Sequence, residues 1–188
     1  MAIWQFKISL VPGQSLVEKY GEPLPTQLNV NKEGWEAYMK ETDFSDRPAF
    51  EDAFTVYWWL PLRLDLNTLQ PILEEIGDLQ EWTADADGLR NFGNPDTNDI
   101  SVCFDSETNN VEDVSCRIDL RNLDTVFIGQ VLSLAKNYDC LLMDRQARLF
   151  EVSEVALIEA IRKSNAMRFV KDPNQFFSDL SGGIISPE

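Results

Sequence analysis

The chain contains no histidine. Histidine is the usual general base near neutral pH and the commonest metal ligand, so its absence removes whole reaction classes. Ser-His-Asp and Cys-His nucleophile systems, histidine-containing zinc sites and the HExxH metalloprotease helix all fall away. Neither a GxxxxGK[ST] phosphate loop nor a GxGxxG turn occurs. Cysteine is scarce: Cys103, Cys116 and Cys140 are odd in number, widely spaced and without a CxxC. That pattern fits a reducing compartment better than a secreted disulfide scaffold, and the expected location is the cytoplasm. Long apolar runs are missing too, since the longest, Val56 to Leu62, holds Pro61 and reaches only about a third of a membrane span. At the start of the chain Trp4, Phe6, Ile8 and Leu10 alternate with Gln5, Lys7 and Ser9, the period of a strand and not the apolar block of a signal peptide. Carboxylate-only chemistry, Ser/Lys or Tyr/Arg chemistry, or no chemistry at all is what survives.

Bases are few, and fewest where acids are most frequent. The chain holds 16 Lys and Arg against 32 Asp and Glu, a net charge of −16. Residues 1 to 64 carry nine acids and six bases, and residues 114 to 188 carry ten acids and nine bases. Residues 65 to 113 carry thirteen acids and the single base Arg90, so the middle of the chain supplies most of the excess. Apolar residues at 44% and aromatics at 11% place the sequence well inside the folding regime. One domain over residues 1–188 is expected, with residues 12–53 an irregular excursion and residues 181–188 a flexible tail.

The excursion is punctuated by Pro12-Gly13, Gly21, Pro23, Pro25, Gly34 and Pro48, with room for a short helix over Glu33 to Glu41. Phe54 to Leu62 reads as a buried strand. A helix follows, with Asn67 as its cap, Leu69, Ile72, Leu73 and Ile76 on one face and Gly77 at its end. Strands are predicted over Leu79 to Ala84, Asp99 to Phe104 and Val114 to Leu120. Asp124 caps a second helix with Phe127, Val131, Leu134 and Tyr138 in a stripe. Cys140 to Met143 and Arg148 to Val152 form a hairpin, Ser153 caps a third helix to Lys163, and Asn174 to Leu180 form a last one. The order predicts an α+β fold, a largely antiparallel sheet with helices packed on one face, of which ferredoxin-like variants are one kind.

Four features bear on function. Ile100, Val102 and Phe104 share a face with Cys116, Ile118 and Leu120 only in a register that turns Cys103 away from Cys116, so two separate thiols are expected. Ser115, Arg117, Asp119 and Arg121 alternate along the opposite face, either as an anion site built on Arg117 and Arg121 or as a solvated salt ladder. Residues 83 to 94 place Asp85, Asp87 and Gly88 at positions 3, 5 and 6 of a calcium loop, but Thr83 and Asn94 stand where an aspartate and a bidentate glutamate are needed. No metal or cofactor is therefore assigned. Most of the tryptophans suit a core, whereas Trp82, between Glu81 and Asp85, suits a recognition surface.

In composition the chain is similar to small acidic bacterial antitoxin and immunity proteins, which neutralise basic toxin domains; the likeness covers no specific residue. The leading expectation is a non-enzymatic binding domain that presents Glu81, Trp82, Asp85, Asp87, Asp96, Asp99, Glu112 and Asp113 to a basic protein partner, with an immunity-type inhibitor as its sharpest form. Membrane association is not expected, and direct nucleic-acid binding is disfavoured. Two alternatives stay open. One is a carboxylate-dependent hydrolase or metal-assisted enzyme using Asp85, Asp87, Asp96 or Asp99. The other is a structural or assembly protein of a phage or secretion system, forming homo-oligomers through the aromatic stretch around Trp58 and Trp59.

Overall fold

Alternation in the first strand decides where everything else goes. A computed structural model describes residues 3–40 and 48–185. In it β1 (Gln5–Pro12) pairs on one side with β4 (Val111–Asp119) and on the other with β5 (Cys140–Asp144). β3 (Asp99–Phe104) and β2 (Leu89–Gly93) continue beyond β4, and β6 (Leu149–Phe150) lies beyond β5. The result is one open six-stranded sheet in the order β2-β3-β4-β1-β5-β6, antiparallel at every step. The α+β class with an antiparallel sheet is thus the observed one.

Ile8, Cys116, Ile100 and Phe92 stand opposite one another across four strands, all buried. One residue along, on the other face, the row is Lys7, Arg117, Asp99 and Gly93. The apolar side chains join a hydrophobic cluster with Leu66, Leu69 and Leu73 of α3 (Leu66–Glu74) and with Phe127, Val131 and Leu134 of α5 (Thr125–Asn137). Asp124 caps α5, accepting from the backbone N–H groups of Val126 and Phe127 at 2.9 and 3.0 Å. Ser153 caps α6 (Glu154–Lys163), followed by α7 (Asn165–Lys171) and α8 (Pro173–Ser181). No helix among the described residues is long and apolar enough to cross a membrane.

Several local expectations are corrected. Phe54 to Leu62 is not a strand but a run of turns ending in one 3-10 turn, Leu60–Leu62. Pro61 has no N–H to give a ladder, and the two indoles are held by single bonds instead. The Nε1 of Trp58 donates to the Ala53 carbonyl at 2.9 Å and that of Trp59 to the Leu10 carbonyl at 2.6 Å. The excursion holds two helices, α1 (Gly13–Tyr20) and α2 (Lys32–Tyr38); Pro12 ends β1 and α1 starts at once, with the Ser15 hydroxyl donating to the Trp58 carbonyl at 2.6 Å. Glu41, where the short helix was expected to end, and residues 186–188 of the tail lie outside the described residues. α3 is capped by Asp65, not Asn67, through a 2.7 Å bond from the Asn67 N–H. Leu79 to Ala84 forms α4 (Glu81–Ala84) after a single bridge from Leu79 to Phe92, and β2 arises inside what reads as an acidic loop. β4 begins three residues early because a bulge at Glu112 shifts its register against β3.

Both sheet edges are covered. The backbone of residues 26 to 28 bonds along β6, from Leu149 N to Thr26 O at 2.8 Å and from Leu28 N to Ala147 O at 2.9 Å. Residues 78 to 80 do the same along β2, from Gly93 N to Asp78 O and from Gln80 N to Asn91 O, each 2.8 Å. The second approach needs glycine: a Cβ on Gly77 would sit 2.7 Å from the Gly93 Cα.

Two expectations follow for the core. Trp59→Ala should cost about 3–5 kcal/mol in urea denaturation, since it removes a fully buried indole. Native oxidation should yield no Cys103–Cys116 crosslink by mass spectrometry, because Cys116 faces Ile100 while Cys103 faces Asp113 on the opposite side. Burial raises the Cys116 thiol and pushes that of Cys140 up to about 12, so neither should alkylate at pH 8 until the chain unfolds.

Candidate functional site

The middle segment, which carries the charge excess, forms the β2 end of the sheet. α4 is held against β2 by Thr83, whose hydroxyl donates to the Gln80 carbonyl and accepts from the Asn91 N–H, each at 3.0 Å. Trp82 therefore points outward, 62% exposed, with Glu81, Asp85 and Asp87 exposed around it. At the far end of β2, the turn before β3 exposes Asp96. The five side chains are strung along one edge.

Arg90 is the one base of this segment, and it does not neutralise that edge. Its Nη1 donates to the carbonyls of Thr83, Ala86 and Leu89 at 3.0, 2.6 and 2.8 Å, and its guanidinium lies 4.9 Å from the centre of the Phe104 ring. Among the described residues, Glu81, Asp85, Asp87 and Asp96 make no ion pair. Arg121 donates from Nη2 to the Asp96 backbone carbonyl at 2.8 Å, not to its carboxylate.

The other expected acids face elsewhere. Asp99 is fully buried, gripped by both Arg117 nitrogens, Nε at 2.7 Å and Nη2, and by the Asn91 amide at 3.0 Å. Glu112 is buried at the bulge, where its carbonyl accepts from the Trp59 N–H at 3.2 Å. Asp113 is half-buried and lines a cavity of about 500 Å³ with Lys7, Ser9, Cys103, Phe54 and Tyr57. Desolvation raises the Asp113 carboxyl, and the Lys7 ammonium partly offsets this.

Arg117 and Arg121 are not an open anion seat, because each is already occupied. Arg121 donates to both Asp119 oxygens and stacks 4.4 Å from the centre of the Trp4 ring. The solvated ladder is not seen in that form: Arg117 pairs with the buried Asp99 of β3 and Arg121 with the buried Asp119. The acids named for carboxylate chemistry do not converge either, with Asp99 inside and Asp85 and Asp96 at opposite ends of β2. Among the described residues, no group of three or more His, Cys, Asp or Glu is placed to hold a metal ion. Trp58 and Trp59 are themselves buried. What sequence reasoning missed is the aromatic-walled cavity over Lys7 and Asp113. The polar alternation of Lys7 and Ser9 in β1 signalled that face, but a strand over 54–62 hid its cover.

Asp113 and Asp119 should respond to pH with opposite signs. The Asp113 carboxyl is raised above its unfolded value, so the folded state binds its proton more tightly, and stability is lost as pH rises through the folded pKa. Asp113→Asn should therefore gain on wild type between pH 4 and pH 7. The hydrogen bond from Arg121 lowers the Asp119 carboxyl, so its contribution is present above the unfolded pKa and lost as pH falls through the folded one. Asp119→Asn should be least stable relative to wild type at pH 7, with the gap closing below about pH 4. Urea midpoints across pH check both.

Compared with known protein families, curated proteins and solved structures, the chain matches none.

Proposed function

We propose that the chain is a non-enzymatic protein-binding domain that offers its acidic β2 edge to a basic protein partner, with an immunity- or antitoxin-type inhibitor as the sharpest form. The observation that carries the reading is an exposed indole, Trp82, among carboxylates that make no ion pair among the described residues, Arg90 being turned onto backbone carbonyls. An unpaired field of one sign repels itself and costs stability; steering an oppositely charged partner is a use that offsets the cost. The mode of contact follows from the edge. Residues 78 to 80 already occupy the β2 backbone, so a partner cannot add a strand there and must read side chains. Charge then governs encounter and the aromatic anchor governs residence.

The test separates those two parts. A partner recovered by affinity capture from the source cell should be basic, and its association should slow as salt rises. Replacing Asp85, Asp87 and Asp96 together by Asn should lower the on-rate by roughly tenfold at low salt and flatten its salt dependence. Trp82→Ala should chiefly raise the off-rate, by about thirtyfold if the indole is a hot spot. Recovery of only neutral or acidic partners, or an on-rate indifferent to salt, would sink the proposal.

A further inference from the structure

At the opposite end of the sheet the charge reverses. A cleft of about 930 Å³ opens between α2, the β5–β6 turn and the start of α7, and five of the chain's 16 bases line it: Lys32, Arg145, Arg148, Lys163 and Arg168. Three separate stretches of chain contribute them, so the cluster is a product of the fold and not of a basic run. Among the described residues, Glu36 is the one carboxylate in the lining.

Two of the bases are held in place. The buried Asp144 takes Arg148 through Nε at 2.7 Å and Nη2 at 2.6 Å, and Glu159 takes Lys163 at 2.6 Å. The side chains of Lys32, Arg145 and Arg168 make no hydrogen bond or ion pair among the described residues, and all three are exposed. Among the described residues, with Glu36, Asp144 and Glu159 set against the five, two positive charges remain in excess. Trp35, half-buried, forms part of the wall.

We infer that this cleft binds a small, multiply charged phosphate anion. Guanidinium groups are the donors best matched to phosphate oxygens, and Arg145 and Arg168 bring two of them, unpaired among the described residues, to one opening, with Arg148 held beside them by Asp144. The volume lies in the range of small-ligand sites. The charge of the rest of the molecule decides between a small anion and a nucleic acid. A ligand confined to the cleft feels the local surplus, because charges beyond about 8 Å are screened at physiological salt. A long polyanion would have to run onto a surface that contributes to a net charge of −16 and would be repelled there.

Sodium tripolyphosphate is the probe, titrated calorimetrically into the full chain and followed in parallel by thermal melting. The expected result is saturable binding of one equivalent, a raised melting temperature, and weakening with added salt. The double variant Arg145→Gln/Arg168→Gln should bind at least roughly tenfold more weakly, the loss of one charge-assisted contact or more, and should melt at the wild-type temperature without ligand. Lys32→Gln, at a separate side of the cleft, should weaken binding independently, while Lys136→Gln, outside it, should not. The inference fails if tripolyphosphate does not saturate at millimolar concentration. It fails equally if the cleft variants bind as wild type does, or if sulfate at matched ionic strength raises the melting temperature as much. Tighter binding of a single-stranded oligonucleotide than of tripolyphosphate would also overturn it, in favour of a nucleic-acid site.

Discussion

The row Ile8, Cys116, Ile100 and Phe92 is the constraint on which the rest of the molecule depends. A strand has a side-chain period of two, so fixing these four residues inward sends Lys7, Arg117 and Asp99 to the other face without further instruction. A slip of one residue between β1 and β4 would bring Lys7 or Arg117 into the hydrophobic cluster, uncompensated, and such a charge is far too costly to bury. The buried pair of Asp99 and Arg117 works as a check on the same register. It forms only when β3 and β4 meet in the observed alignment, and breaking it would strand a carboxylate with no exposure to water.

The sheet also sorts charge along its width. β2 and α4 gather carboxylates at one margin, while the β5–β6 turn and α7 gather guanidinium groups at the other. Between them, acids and bases on the polar face meet as pairs: Asp99 with Arg117, Asp119 with Arg121, and Asp113 beside Lys7. On that face charge is neutralised where it is shielded from water. Among the described residues the two margins of the sheet therefore differ in sign, and the total charge understates how differently they would treat a partner.

Much of this frame was legible in the chain. Asp124 and Ser153 were readable as helix caps because a short polar acceptor immediately precedes an apolar stripe in each case, and the hairpin register followed from the parity of Ile100 and Cys116. The exposure of Trp82 followed from its charged neighbours. Phe54 to Leu62 misled because β-branched and aromatic residues suit any buried surface, and Trp58 and Trp59 are buried without a ladder. β2 was hidden because Leu89 to Gly93 has only Phe92 as a large buried side chain and draws its order from residues 78 to 80 and from β3. Of the expected surface acids, Asp99 and Asp113 lie on the polar face of the sheet but are shielded there, Asp99 by Arg117 and Asn91 and Asp113 beneath Phe54 and Tyr57, while Glu112 is buried at a bulge, and a bulge has no composition that announces it. The basic cleft could not be read locally at all, since Lys32 and Arg168 meet only through tertiary structure.

The central position of β1 bears on how the chain reaches this state. Both strands that flank it come late: Ile8 waits for Cys116 on one side and for Asp144 on the other, each separated from it by more than a hundred residues. Loop-closure entropy must be met before those contacts return anything, which places the fold among the slower topologies. On a ribosome, Phe6, Ile8 and Leu10 emerge as an apolar stripe with no sheet to join, and they stay unpaired until β4 has been made. The segment at greatest risk of wrong association during synthesis is thus the one that ends up most completely enclosed.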